Sequence, residues 1–134
     1  MAYVRNRGAY FHPLAQRRST VNYELVMYSR TFGCPFVSIA EGVFKEYGIP
    51  YREIFIDQDP QARERVLQWT GFLSVPTLVI AQKGSDMPYI EPEPLPQGAS
   101  PRGIDRGSML TEPSAAELRE WLIKHGFIEQ TVAE

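Results

Sequence analysis

Apolar residues recur along the chain at spacings that alternate between those of strands and those of helices. Three short apolar runs have the length and composition of strands: YELVMY at Tyr23–Tyr28, YREIFI at Tyr51–Ile56 and TLVIA at Thr77–Ala81. Segments of helical length separate these runs. The pattern therefore predicts a βαβ unit and an α/β sheet.

The first helical segment follows directly on a Cys-Pro pair. Its apolar positions share the spacing of one helix face: Phe36, Ile39, Ala40, Val43, Phe44 and Tyr47. Pro35 suits the first helical position because its missing N–H costs nothing there, and Gly48 followed by Pro50 is typical of a helix end. We therefore predict a helix that begins just after Cys34 and buries this face, Phe36 included.

Two further helices are predicted from their end signals. Pro60–Thr70 follows a turn and ends at Gly71, and the last helix starts near Ser114, which forms a capping box with Glu117 and leads to a stop at Gly126. The inward positions are Ala62, Val66 and Trp69 in the first of these and Ala115, Leu118, Trp121, Leu122 and His125 in the second.

Two segments lack both periodicities. Residues 1–22 contain arginines and no acid, and we interpret them as a basic flexible arm, with an organellar transit peptide as the alternative. Gln82–Gly103 is rich in proline, which excludes a helix or an inner strand, so it is predicted to be an insertion before the last strand. We expect it to pack on the surface through Tyr89 and Ile90 and to shape access for protein substrates. The alternative is a disordered bulge without function. The domain itself is expected to span residues 23–134.

Composition and charge narrow the class of protein. A hydrophobic content of 43% in 134 residues is enough to close the core of one domain. The net charge of -2 gives no basis for binding nucleic acid or a membrane surface, and no apolar run approaches the roughly 20 residues of a membrane span. We expect a monomer with neither kind of partner.

Cys34 is the only cysteine in the chain, so neither an internal disulfide nor a multi-cysteine zinc site is possible. A free thiol suits a reducing compartment, and we expect the cytoplasm. At the start of a helix, unpaired N–H groups stabilise a thiolate, which is the form that attacks a disulfide. The alternative is a buried structural cysteine. His12 and His125 lack metal-ligand spacing, so no metal is expected.

Two segments around Cys34 resemble the active site of the glutaredoxin family. MYSRTFGCPFV at Met27–Val37 resembles the family's Tyr-Ser/Thr-Lys/Arg-x-x-Cys-Pro-x-Cys, and TGFLSVPT at Thr70–Thr77 resembles its Thr-Gly-x-x-Thr-Val-Pro. The resemblance implies a thioredoxin-like three-layer α/β fold with a small mixed sheet. It also implies that Cys34 is the catalytic thiol, in an active-site motif completed by Pro35, Phe36 and Val37.

The same resemblance implies a set of residues that bind glutathione: Arg30, Thr31, Arg63, Val75 and Pro76. The backbone of Val75 would pair with the cysteinyl part of glutathione beside a cis-proline at Pro76. Arg63 has the alternative of a solvated helix face. Gly107–Ser108 would be all that remains of the turn that holds the γ-glutamyl end.

The departures from the family pattern define the predicted chemistry. Val37 replaces the second cysteine, so a dithiol mechanism is impossible within one chain, and one extra residue before Cys34 loosens the match of Arg30. The monothiol subfamily that carries iron–sulfur clusters uses Cys-Gly-Phe-Ser, unlike Cys-Pro-Phe-Val here. We interpret the chain as a monothiol oxidoreductase that reduces protein–thiol mixed disulfides through Cys34. Glutathione or a similar small thiol would be its co-substrate, and it would need no cofactor. A non-catalytic thioredoxin-fold binding module and a cysteine-based redox sensor are the alternatives.

Overall fold

The computed structural model of the chain describes residues 22–129, so the arm predicted at residues 1–22 lies outside the described part except for Asn22. The elements, in chain order, are β1 (Tyr23–Ser29), α1 (Pro35–Tyr47), β2 (Arg52–Phe55), α2 (Pro60–Thr70), β3 (Thr77–Gln82), β4 (Met109–Thr111) and α3 (Ala115–Lys124). None of the helices in this range is long and apolar enough to cross a membrane.

The four strands form one mixed sheet in the order β2-β1-β3-β4. β1 is parallel to β2, whereas the β1–β3 and β3–β4 pairs are antiparallel. A four-stranded mixed sheet with three helices confirms the thioredoxin-like α/β fold. Tyr28, near the end of β1, pairs with Thr77 at the start of β3. The loop after β1 and the residues before β3 therefore meet at one edge of the sheet.

α1 begins and ends where the sequence predicts, but it buries a different face. Its buried side chains are Val37, Ala40, Val43 and Phe44. The prediction that Phe36 packs in the core is wrong: Phe36 is half-buried, and Ile39 and Tyr47 are exposed. The guanidinium of Arg102, far along the chain, covers the ring of Phe36 at 4.8 Å.

α2 and α3 confirm the predicted helix starts. The carboxylate of Asp59 accepts the N–H groups of Gln61 and Ala62, each at 3.1 Å, at the start of α2. Ser114 and Glu117 form the reciprocal capping box at the start of α3. These side chains satisfy backbone donors that would otherwise be left unpaired at the helix ends.

The Pro-rich segment covers the free edge of β4. Arg102 bridges to Thr111, and the N–H of Gly103 donates to the carbonyl of Thr111 at 2.7 Å. At the other end of the segment, the N–H of Tyr89 donates to the carbonyl of Ile80 at 2.8 Å. The expected packing on the surface is confirmed. An edge strand with open hydrogen-bonding groups invites pairing with other chains, and this segment occupies those groups.

The anchors of this segment differ in part from those predicted. The ring of Tyr89 does pack, 4.8 Å from the ring of Tyr23, but the side chain of Ile90 is 56% exposed. The insertion is held instead by a buried cation outside it. Arg106 is 7% exposed and donates to the carbonyls of Glu93 at 2.6 Å and Trp69 at 2.7 Å. Because Trp69 lies in the last turn of α2, Arg106 fixes the insertion to the negative end of that helix.

Candidate active site

The two segments that carry the sequence motifs meet at the thiol of Cys34. Cys34 is half-buried, and its Sγ lies 3.5 Å from the carbonyl oxygen of Val75, to which the thiol donates a weak hydrogen bond. The next peptide bond, Val75–Pro76, is cis. The structure thus places three of the predicted site residues, Cys34, Val75 and Pro76, side by side at one edge of the sheet.

Cys34 is also the N-cap residue of α1, with extended backbone at φ -152° and ψ 121°. Its carbonyl accepts the first intrahelical hydrogen bond, from the N–H of Ser38 at 3.1 Å. Pro35 has no N–H, so the first unpaired donors of the helix are those of Phe36 and Val37. Neither N–H has an acceptor within residues 22–129. The sulfur therefore sits at the positive end of the helix dipole, as the sequence predicts.

Asp57, in the turn after β2, holds the loop between β1 and Cys34. The backbone N–H of Thr31 donates to Asp57 at 3.1 Å, and its hydroxyl donates to the other oxygen of the same carboxylate. The hydroxyl bond of Thr31 is the main cause that lowers the pKa of Asp57. Thr31, predicted to bind glutathione, is thus already engaged in fixing its loop. The available signal was the position of Asp57 just after β2, next to the end of β1.

The two arginines predicted to bind glutathione lie in different surroundings. The guanidinium of Arg30 covers the ring of Phe32 at 4.6 Å, and its Nη2 donates to the carbonyl of Gly33 at 3.4 Å. Its Nε is buried without a hydrogen-bond partner in the described part of the chain. Arg63 is exposed on α2, and its side chain contacts no partner among the described residues. Its exposure fits the solvated helix face that is its alternative, and its predicted contact with glutathione stays a prediction.

Val37, at the position of the family's second cysteine, belongs to the hydrophobic core. Its side chain is 8% exposed and packs in the main buried cluster. The first turn of α1 therefore presents a reactive atom at Cys34 and a core residue three positions later.

A second arginine borders the site, and sequence reasoning missed it. Arg102, in the insertion, lies over Phe36, and its Nε pairs with Glu112 at 3.3 Å. The N–H of Glu112 in turn donates to the carbonyl of Pro76 at 2.9 Å. Glu112 has φ 47°, in the left-handed region that favours glycine. No periodicity or motif of the Pro-rich segment signals this contact, because it depends on tertiary folding.

The turn beside Pro76 is therefore the one that contains Glu112, and the expectation for Gly107–Ser108 is corrected. These two residues precede β4 and are used internally. The carbonyl of Gly107 accepts the indole N–H of Trp121 at 2.9 Å, and the hydroxyl of Ser108 donates to the carbonyl of Ile90 at 2.8 Å. Their hydrogen bonds thus join the insertion and α3.

The rim of the site is apolar and open. Phe32 is 60% exposed in the loop before Cys34, and Phe72 is 58% exposed in the loop before Val75. An open groove lies elsewhere, between Tyr23, Tyr89 and the end of α3. Across residues 22–129, no cluster of three or more His, Cys, Asp or Glu side chains could hold a metal ion.

Comparison with protein families places the site in a known context. The family model described as Glutaredoxin matches residues 25–84, which include Cys34, Val75 and Pro76 and end just inside the insertion. A search of curated proteins finds no match to the chain. β4, α3 and the Arg102–Glu112 pair lie beyond the matched segment.

Proposed function

Because the chain is a glutaredoxin-like protein of the thioredoxin fold with a thiol–disulfide redox function, we propose that it is a monothiol oxidoreductase that reduces protein–glutathione mixed disulfides. Cys34 is its nucleophile, and glutathione or a similar small thiol is its co-substrate. We place this activity in the cytoplasm and expect a monomer to carry it out.

The observation that carries the proposal is the position of the Cys34 sulfur. Cys34 is the N-cap residue of α1, and its sulfur lies 3.5 Å from the carbonyl oxygen of Val75 on a partly exposed edge of the sheet. The N–H groups stabilise the thiolate, and exposure lets a disulfide approach it. A structural cysteine would be fully buried in apolar surroundings instead.

The proposed reaction proceeds through one mixed disulfide on the protein. The thiolate of Cys34 attacks the glutathione sulfur of the substrate disulfide, a new S–S bond forms, and the target thiolate leaves and takes up a proton. A second glutathione, as thiolate, attacks the glutathione sulfur on Cys34. Oxidised glutathione is released and the Cys34 thiolate returns, so the electron pair that reduces the substrate disulfide comes from the thiolate of this second glutathione.

The backbone of Val75 is the best-placed partner for the cysteinyl part of glutathione. Its N–H has no acceptor in the described part of the chain. Its carbonyl accepts only the Cys34 thiol, a bond that ends when the thiol ionises. Arg30, whose guanidinium donates one bond to the carbonyl of Gly33 in the loop before Cys34, is the partner we assign to a carboxylate of glutathione. These groups match the two ends of a cysteine-containing peptide.

The direct test is turnover of a glutathionylated peptide with excess glutathione. We expect catalysis by the wild-type chain, none by Cys34→Ser, and unchanged activity in Ser38→Ala, whose substitution lies on the exposed side of the same helical turn. Binding of glutathione without turnover would instead favour a binding module. Stable capping of Cys34 that a second glutathione fails to remove would favour a redox sensor.

A further inference from the structure

We infer that Arg102 is a specificity-determining residue that binds a carboxylate of the substrate next to the disulfide under attack. This inference rests on the proposed function for its biological setting, but the chemistry it invokes can be tested without turnover. The carboxylate has two possible sources: an acidic side chain that flanks the target cysteine, or the small thiol itself.

The fold brings Arg102 to the thiol by three contacts. Its backbone bridges to Thr111 at the end of β4, its guanidinium lies 4.8 Å above the ring of Phe36, and its Nε pairs with Glu112. Phe36 is two residues after Cys34, and the N–H of Glu112 bonds to Pro76. These contacts therefore link Arg102 to the start of the helix that holds Cys34 and to the segment that holds Pro76.

The guanidinium is held in place yet keeps donors for a ligand. Stacking on Phe36 and the Nε bond to Glu112 fix its plane. Its two terminal nitrogens have no acceptor within the described residues, and the side chain is 59% exposed. Two parallel N–H groups on a fixed plane match the two oxygens of a carboxylate.

The charges around the sulfur favour an anionic partner. Phe32 and Phe36 each lie two residues from Cys34 in the sequence. Arg30 covers the first ring and Arg102 covers the second. Of the acids nearby, Glu112 is bonded to Arg102, and Asp57 is bonded to Thr31. A chain with a net charge of -2 therefore places a guanidinium over each of the two rings that flank Cys34 in the sequence.

The test compares alkylation of Cys34 by iodoacetate, which carries a carboxylate, and by iodoacetamide, which is neutral. The ratio of the two rates cancels any change in the reactivity of the thiol itself. We expect Arg102→Met to lower the ratio about threefold, the effect of a partly exposed ion pair, and added salt to lower it in the wild type. Lys45→Met, which removes an exposed cation in the last turn of α1, at the end opposite Cys34, is the control and should leave the ratio unchanged. An unchanged ratio in Arg102→Met would overturn the inference.

Two further arms identify the source of the carboxylate. Glutathionylated peptides with Glu or Gln beside the cysteine test the target, and glutathione compared with its neutral ester tests the small thiol. If Arg102→Met no longer prefers the peptide with Glu, the carboxylate that Arg102 binds is the acidic side chain beside the target cysteine. If it no longer prefers free glutathione over the ester, the carboxylate belongs to the small thiol. Wild-type chain that alkylates as expected but turns over neither peptide would refute the proposed function and leave the Arg102 contact standing.

Discussion

At the scale of single residues, the first turn of α1 combines a reactive side chain with a side chain of the hydrophobic core. Cys34 faces the carbonyl of Val75 and open solvent, whereas Val37 is buried in the core. Residues three apart in a helix lie on the same side of its surface, so the side chain of Val37 is the neighbour from which a second sulfur would attack. An apolar residue thus occupies the second position of the motif.

Val37→Cys should therefore create an internal disulfide with Cys34. Residues three apart on one turn fall within the Cα separation of roughly 4.4–6.8 Å that a disulfide spans. After treatment with oxidised glutathione, the intact mass should show loss of two hydrogen atoms, in contrast to the single glutathione adduct expected of the wild type. Val37→Ala is the matched control, since it opens the same space without a sulfur. Persistence of a glutathione adduct on Val37→Cys would show that position 37 does not face the thiol.

Tyr51 gives a residue-scale prediction about alkaline stability. Burial, with the nearby carboxylates of Glu53 and Glu41, raises the pKa of Tyr51 to about 12 from 10.0, and its ring packs 4.7 Å from that of Phe44. A raised pKa means that folding favours the neutral phenol. Its contribution to stability is complete below pH 10 and is lost as the pH rises toward 12. Tyr51→Phe should therefore unfold at a higher pH than the wild type, as followed by circular dichroism. Equal alkaline midpoints for the two proteins would contradict this.

At the scale of elements, the insertion is joined to the domain by the guanidinium of Arg106. This side chain is 7% exposed and links the carbonyl of Glu93, in the insertion, to that of Trp69, in α2. A hydrogen bond from a buried charged group contributes about 1.5–3 kcal/mol, and a buried carbonyl left without its donor adds to the loss. The hydrogen bonds of Arg106 thus stabilise the attachment of the insertion to α2.

Arg106→Met should lower the free energy of unfolding by about 2–3 kcal/mol, because both carbonyls lose their donor while the apolar stem is kept. Urea denaturation measures this loss, and limited proteolysis should show earlier cleavage within the insertion. Arg63→Met is the control and should stay within about 0.5 kcal/mol of the wild type, since Arg63 is exposed on α2. A small effect of Arg106→Met, equal to that of Arg63→Met, would mean that water replaces these bonds without cost.

The elements that the sequence predicts well are those whose signals are local. The bounds of α2 and the capping box of α3 follow from neighbouring residues and agree with the structure. The buried face of α1 differs from the predicted one at Phe36, whose ring contacts Arg102 far along the chain, and the local pattern does not indicate that contact. β4 has only three residues and is fixed by its pairing with β3, so it has no pattern of its own.

The candidate site likewise contains contacts that the sequence predicts and contacts that it does not. The meeting of Cys34 with Val75 could be predicted because two motifs and the strand order placed them at one edge of the sheet. The bond between Thr31 and Asp57 has a weaker signal, because each residue follows one of two neighbouring parallel strands but neither side chain alone indicates the bond. The role of Arg102 depends on the path of the insertion, and sequence periodicity carries no information about that path.

At the scale of the whole molecule, the insertion connects the edge of the sheet to the thiol. It leaves the sheet at the end of β3, and the N–H of Tyr89 then bonds to the carbonyl of Ile80. Before the chain enters β4, the insertion reaches Thr111 through Arg102. β4 is antiparallel to β3, so Thr111 pairs with Thr77, the residue after Pro76. The segment therefore covers an edge strand and delivers a cation to the active site.

Replacement of Gln82–Gly103 by a short glycine-containing turn should affect both properties. Stability should fall because Arg106 loses the carbonyl of Glu93 and the edge of β4 is uncovered. Reduction of a glutathionylated protein should fall more than reduction of a small glutathione disulfide, since only the protein reaches across the insertion. Urea denaturation and the two turnover assays measure these effects. Unchanged stability and unchanged activity on both substrates would show that the insertion has neither role.

The central claim is that Cys34 alone takes glutathione from a mixed disulfide. It is tested most directly by intact mass spectrometry after the chain is mixed with one equivalent of a glutathionylated peptide and no free glutathione. The account predicts one glutathione on Cys34, a free reduced peptide, and an unmodified mass for Cys34→Ser. A chain that stays unmodified, or that carries the peptide in place of glutathione, would contradict it.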